Sequence, residues 1–296
     1  MTENLDNNQI QQKIKELEAK VNSPDFWNDK AKAHAVLKEI NFLKSEILGK
    51  DRYNKGHAIM TIFSGAGGDD AEDFSRILFE MYSKFFIKNN WDYKVLDETE
   101  NDHGGYRNIT LEILGPNAYG LLKHESGVHR LVRLSPFNSK NLRQTSFSLV
   151  EVVPKIETDN DIKIPEHDLR TDMSRSGGPG GQNVNKRETA IRITHIPTGI
   201  SVRSTSERSQ SQNREKAMEI LRGKLHILKE EEKKVMESGS HISKTISIDW
   251  GNQIRSYVFH PYKMIKDHRT GVETSNIDKV LNGDLNDFIE AEKQMV

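Results

Sequence analysis

Ile59-Met60-Thr61-Ile62-Phe63-Ser64-Gly65-Ala66-Gly67-Gly68-Asp69-Asp70-Ala71-Glu72-Asp73-Phe74, read on to Phe86, changes its hydrophobic period part-way, and that change sets the fold class. Ile59, Thr61 and Phe63 alternate, as a strand with one buried face does. Phe74, Ile77, Leu78, Met81, Tyr82, Phe85 and Phe86 then recur at helical spacing, which puts all seven on one helix face. Such a stripe is core packing rather than a platform for stacking bases. Ile109, Leu111 and Ile113 alternate again, so residues from Tyr53 to Pro154 read strand, helix, strand, strand, helix, strands: an α+β layer domain. The carboxylates of Asp69, Asp70, Glu72 and Asp73 fall in the first helical turn. There they complement the helix dipole, a simpler account than a metal site.

Upstream, Ile10, Ile14, Leu17 and Val21 keep helical spacing, as do Ala33, Val36, Leu37, Ile40, Leu43 and Ile47. Ser23-Pro24 between the two runs is a cap followed by a first-turn proline, and Gly49 ends the second, so a short helical hairpin is expected. Downstream, Ala190–Ile196 and Ile200–Arg203 flank Pro197-Thr198-Gly199 as a strand-turn-strand unit. A long polar helix follows from about Ser209 to Val235, with Met218, Leu221, Leu225 and Leu228 as its buried stripe.

The 296 residues carry a formal charge of −1 and no cysteine. That length points to two or more domains, and the missing cysteine excludes a disulfide framework, thiol catalysis and thiolate zinc sites. Histidine does not restore a metal site, because His124 and His129 are one residue too far apart for the zinc-protease spacing. Neither metal nor cofactor is expected. No apolar run is long enough for a membrane helix, and Met1-Thr2-Glu3-Asn4 does not open a signal peptide, so a cytoplasmic protein without membrane contact is expected.

Charge is unevenly spread. Between Arg170 and Lys229 lysine and arginine outnumber aspartate and glutamate, and this basic stretch contains Arg175-Ser176-Gly177-Gly178-Pro179-Gly180-Gly181-Gln182-Asn183-Val184-Asn185. Glycine lacks a Cβ, so Gly180 and Gly181 let the backbone approach a ligand closely, and RNA or phosphate is the natural partner of such a surface. A phosphate-binding Walker loop needs Lys directly after its last glycine, where Gln182 stands. A dinucleotide fingerprint begun at Gly178 needs glycine where Asn183 stands.

The longer pattern resembles another family. Arg175-Ser176, Gly178, Gly180-Gly181-Gln182-Asn183-Val184-Asn185 and Thr189-Ala190-Ile191 match the signature of class-I bacterial peptide chain release factors. The resemblance extends through Gly127–Arg133, Ser135-Pro136-Phe137, Arg192–Ile200 and Gln253–Val258, and runs from about Ile59 to Glu290. It implies a multi-domain α+β protein: an abbreviated helical domain (1–53), a codon-recognition domain (54–154), a hydrolysis domain (155–250) and a C-terminal segment (251–296) packing back on the codon-recognition domain. Ser135-Pro136-Phe137 marks the branch that reads UGA and UAA.

The same resemblance implies roles for individual residues. Gly180, Gly181 and Gln182 are the catalytic motif, in which the Gln182 backbone N–H stabilises the developing oxyanion or leaving oxygen during hydrolysis of the peptidyl-tRNA ester. Gln182 is also an expected site of N5-methylation by a glutamine methyltransferase. Ser135, Pro136, Phe137, Thr145, Gln144 and Asp70 meet the codon; Arg175, Lys186, Arg187 and Arg208 meet ribosomal RNA. Two codon positions depart from the family, which places glutamate at Asp70 and histidine at Gln144. The first change keeps the charge on a shorter arm, and the second removes a ring on which a base can stack. The expected partners are the ribosome, the mRNA stop codon and P-site peptidyl-tRNA, for a monomer that acts only within the ribosome rather than as a stand-alone enzyme. Two alternatives stay open: a codon-independent rescue hydrolase of the same superfamily, and a regulator that occupies the ribosome without hydrolysis. The retained codon-recognition region and an acidic end, Asp284–Glu290, weigh against rescue. An intact Gly-Gly-Gln weighs against a pure binder.

Overall fold

The structure is a computed structural model and describes residues 12–17, 21, 36, 53–156, 164–175, 188–238 and 252–294. Apart from helical residues 12–17, 21 and 36, the expected N-terminal hairpin lies outside the described residues.

Strand β1 (Ala58–Ser64) leads into α1 (Asp69–Lys88), followed by β2 (Asp92–Glu100), β3 (Tyr106–Leu114), the short α2 (Ala118–Leu122), β4 (Gly127–Leu134) and β5 (Arg143–Pro154). Three strands follow later, β6 (Leu169–Ser174), β7 (Ala190–His195) and β8 (Ser201–Ser204), and then the long α3 (Gln210–Ser238). Strands β9 (Gln253–Val258), β10 (Met264–Asp267) and β11 (Glu273–Thr274), with helices α4 (Ile277–Leu281) and α5 (Asn286–Glu292), complete the chain. The protein is α+β, with two sheets ordered β11-β10-β9-β4-β5-β1-β3-β2 and β6-β7-β8. The C-terminal segment does pack back: β9 joins the large sheet parallel to β4, Leu131 opposite Tyr257. Among the described residues every other pairing is antiparallel.

The helical stripe of α1 packs as its spacing requires. Phe74, Leu78, Met81, Tyr82, Phe85 and Phe86 are buried against Met60, Ile62, Ile109, Leu111 and Val150, and α4 and α5 close the same core with Ile277, Val280, Phe288 and Ile289. The alternation in β1, however, reveals only one of two buried faces. Ile59, Leu96 and Val153 point to the other side of the large sheet, where they meet Ile191, Ile193, Val202, Ala217, Ile220, Leu221 and Leu225. The small sheet and α3 therefore cover the back of the large one. This is why the buried stripe of α3 is wider than its own spacing indicates: Ala217 and Ile220 join Leu221 and Leu225, while Met218 and Leu228 are only partly buried.

Close approach and charge both hold this contact. A Cβ on Gly223 would come within 2.6 Å of the Pro154 carbonyl oxygen, so α3 can lie this near β5 only with glycine there. Lys216 and Lys155 reach Glu112 at 3.0 and 3.1 Å, and Lys224 reaches Glu151 at 2.7 Å. Burial works against the Glu112 carboxylate, yet hydrogen bonds from Lys216 and Lys155 win and hold it below its ordinary range. Among the described residues no helix is long and apolar enough to cross a membrane, and no group of three or more histidines and acids is arranged to hold a metal.

Candidate functional site

One end of the large sheet carries a cleft of about 350 Å³ lined by Gly67, Asp69, Asp70, Ser135, Phe137, Asn138, Ser139 and Gln144. Three elements build it. The glycine-containing turn after β1 and the first turn of α1 supply Gly67, Asp69 and Asp70; the β4–β5 connection supplies Ser135, Phe137, Asn138 and Ser139; the first residues of β5 supply Gln144. The connection is tied at its base, where Ser135 N–H donates to the Leu142 carbonyl at 3.0 Å, and at its tip, where Asn141 N–H donates to the Asn138 carbonyl at 2.9 Å. Asn141 and Leu142 do not line the cleft.

The floor of the cleft is a buried polar chain. Ser135 Oγ donates to Asp70 Oδ2 at 2.6 Å and accepts from Phe137 N–H at 3.2 Å. Asp70 also accepts from Arg133 at 3.2 Å, and Arg133 bridges on to Asp73 at 2.6 Å. Arg76 holds Asp73 from the other side, also at 2.6 Å. The first-turn acids therefore do more than complement the dipole: Asp70 fixes the orientation of the serine hydroxyl, and Arg133 keeps two carboxylates compatible with burial. Arg133 and Asp73 carry no sequence signal for this role, since a charge pair joining a helix start to a strand end is visible only in space.

Of the residues expected at the codon, Asp70, Ser135, Phe137 and Gln144 line this one cleft, and Pro136 is exposed beside it. Thr145 does not line it. Successive strand residues face opposite ways, so Thr145 lies on the other face of β5 from Gln144, opposite Val132 of β4. His129 is fully buried beside Tyr257, and burial followed by the Arg255 charge pushes it down to about 4.

Gly180, Gly181, Gln182, Lys186 and Arg187 lie outside the described residues. Their surroundings are described. Ser174 pairs with Ala190 and Ile191 with Ser204, so the strand ends preceding Arg175, following Thr189 and preceding Arg208 lie at one end of the small sheet. Arg175 and Arg208 are both exposed there. The fully buried Asn213 fastens that end, donating to the Thr189 and Glu207 carbonyls at 2.8 Å each and accepting from Glu207 N–H at 2.9 Å. Nothing in the sequence distinguishes Asn213 from the other polar residues of its helix.

Two known domain families match this chain. The PCRF domain family matches residues 41–150 and the RF-1 domain family residues 156–269. Peptide chain release factor 2 of Clostridium perfringens (strain SM101 / Type A) is 48% identical over 87% of this chain and 70% of its own length. That of Thermotoga petrophila is 39% identical over 97% and 91%, and that of Listeria monocytogenes serovar 1/2a 40% over 97% and 92%. The solved structure of RF2 of Thermus thermophilus superposes with a TM-score of 0.71 at 37% identity, covering 95% of this chain and 80% of that one. With the sequence matched over most of its length and the fold matched over 95% of the chain, the chain belongs to the peptide chain release factor 2 family, the translation termination factors.

Proposed function

We propose that the protein acts on the ribosome, reads UGA and UAA through the Asp70–Ser135 cleft, and promotes hydrolysis of the peptidyl-tRNA ester through Gly180-Gly181-Gln182. In this reading residues 54–154 and 251–296 form the decoding body, 155–250 the hydrolytic module and 1–53 a short helical element. Arg175, Lys186, Arg187 and Arg208 meet ribosomal RNA phosphates, and a methyltransferase modifies the Gln182 amide nitrogen. An ester needs no protein nucleophile when water is positioned and a preorganised donor, here the Gln182 N–H, meets the developing charge. The protein works as a monomer in the cytoplasm. Thr145, on the opposite face of the strand, meets the third base apart from the residues that meet the first two.

The hydrogen bond from Ser135 to Asp70 carries the codon reading. A hydroxyl has one proton and two lone pairs; here the proton is committed to a carboxylate and one lone pair to Phe137 N–H, so an acceptor remains. An acceptor meets the amino group of adenine directly. Guanine presents a carbonyl at that edge, so Ser135 must turn its proton away from Asp70 to read it. UAA is therefore expected to be the better codon. Asp70→Asn replaces a charge-assisted bond by a neutral one, weaker by about 1 kcal/mol, and should reduce the UAA-to-UGA ratio of release efficiencies about fivefold. Release kinetics on the two codons test this, and a ratio unmoved by Asp70→Asn contradicts it.

A further inference from the structure

The turn joining β2 to β3 comes up beside the same cleft, against Phe137 on its rim. Asn101 shapes it: its Oδ1 accepts from His103 N–H at 2.9 Å and Gly105 N–H at 2.7 Å, and its own N–H donates to the Gly105 carbonyl at 2.8 Å. Gly105 lies directly on the first turn of α1. A Cβ there would stand 2.7 Å from the Glu72 carbonyl carbon and 2.9 Å from Asp73 N, so only glycine lets the turn come this close. Arg107, just beyond, reaches Glu72 at 3.0 Å. The turn is thus fastened to the helical turn that carries Asp70.

The consequence is an aromatic pair at the cleft rim. The His103 imidazole stands with its centroid 5.6 Å from that of Phe137, tilted by 40°, and both side chains are exposed. Phe137 is the one ring among the residues lining the cleft, since Gln144 offers only an amide. Two exposed rings beside hydrogen-bonding groups such as Ser135, Asn138 and Gln144 match the chemistry of a nucleotide base, which has a π-face for stacking and polar edges for pairing. We propose that His103 is a nucleotide-contacting residue, forming with Phe137 a two-ring rim that stacks on a base of the mRNA held in the cleft. The proposal rests on the reading of the cleft as the codon site.

Release from ribosomes programmed with UAA, measured over a range of factor concentrations, tests it. His103→Ala should raise the half-saturating concentration about tenfold, within the range for removal of a stacking ring, with the maximal rate unchanged. His103→Phe should restore it to within about twofold. In a Phe137→Ala background His103→Ala should still weaken saturation, whereas a histidine that merely propped the phenyl ring would add nothing. An unchanged half-saturating concentration for His103→Ala, failure of His103→Phe to restore it, or no further loss in the double variant overturns the proposal. A native protein inactive on every stop codon would instead refute the reading of the cleft on which it rests.

Discussion

Gly181→Ala is expected to abolish peptide release, lowering its rate by at least about 100-fold, while leaving ribosome binding nearly intact. The reason is the backbone. In the proposed mechanism a Cβ at this position restricts φ and would hold the chain away from the reacting ester, and loss of one oxyanion donor alone costs enzymes roughly 10²- to 10³-fold. The basic groups proposed to bind RNA, among them the exposed Arg175 and Arg208, are untouched by the substitution. The neighbouring glutamine separates backbone from side chain: Gln182→Pro removes the N–H and should be more damaging than Gln182→Ala, which keeps it. Single-turnover release from ribosomes holding peptidyl-tRNA, with binding followed by competition, measures both quantities. Normal release by Gly181→Ala is incompatible with the proposed mechanism.

The second large effect concerns stability rather than chemistry. Arg255→Ala should destabilise the protein by about 3–5 kcal/mol, because it strips the partner from carboxylates that have no access to water. Arg255 is fully buried and bonds both Glu125 oxygens at 2.8 and 2.9 Å and Glu292 at 2.7 Å, with its guanidinium 4.5 Å from the centroid of the Phe288 ring. Arg269 adds bonds to Asp267 at 2.8 Å and Glu292 at 2.5 Å. These contacts pin the last helix, α5, to β9 and β10.

Three carboxylates face two guanidinium groups, an excess of one negative charge in a buried cluster. Burial, then the Glu125 charge, push Glu292 up to about 8 against the pull of both arginines. Its folded-state value thus lies above its ordinary value of 4.5. The folded protein therefore holds a proton that the unfolded chain releases. This contribution to stability is complete below about pH 4.5 and is lost as pH rises towards 8. Glu292→Gln, which cannot titrate, should flatten the decline in the urea midpoint over that interval. A decline of the same slope in Glu292→Gln would place the proton elsewhere.

What the sequence makes legible follows from local periodicity. The β1–α1 unit, the strand-turn-strand of β7 and β8 and the long α3 each have a hydrophobic period that fixes their type, and all form. Period alone names no partner. Ile59 belongs to the alternating set, but only the fold shows that its face meets Leu221 and Leu225 of α3 rather than solvent. The chain around Arg255 resembles the family while giving no hint that its arginine lies at the centre of a buried charge cluster. That cluster draws on residues from Glu125 to Glu292.

The candidate site divides in the same way. Ser135, Phe137, Gln144 and Asp70 are named by resemblance and line one cleft, whereas the proton that orients Ser135, the Arg133 bridge and the Asn213 staple depend on contacts distant in sequence. His103 belongs with these. Its turn is shaped by Asn101 and Gly105, and its contact with Phe137 arises from packing against α1.

The most direct test of the account is peptide release by the native protein from purified ribosomes carrying peptidyl-tRNA, with UAA, UGA, UAG, a sense codon or no codon in the A site. Release is expected on UAA and UGA, with UAA the more efficient, and only at background level on UAG, the sense codon and the empty site. Equal release without a codon, or binding to stop codons with no release, would contradict it.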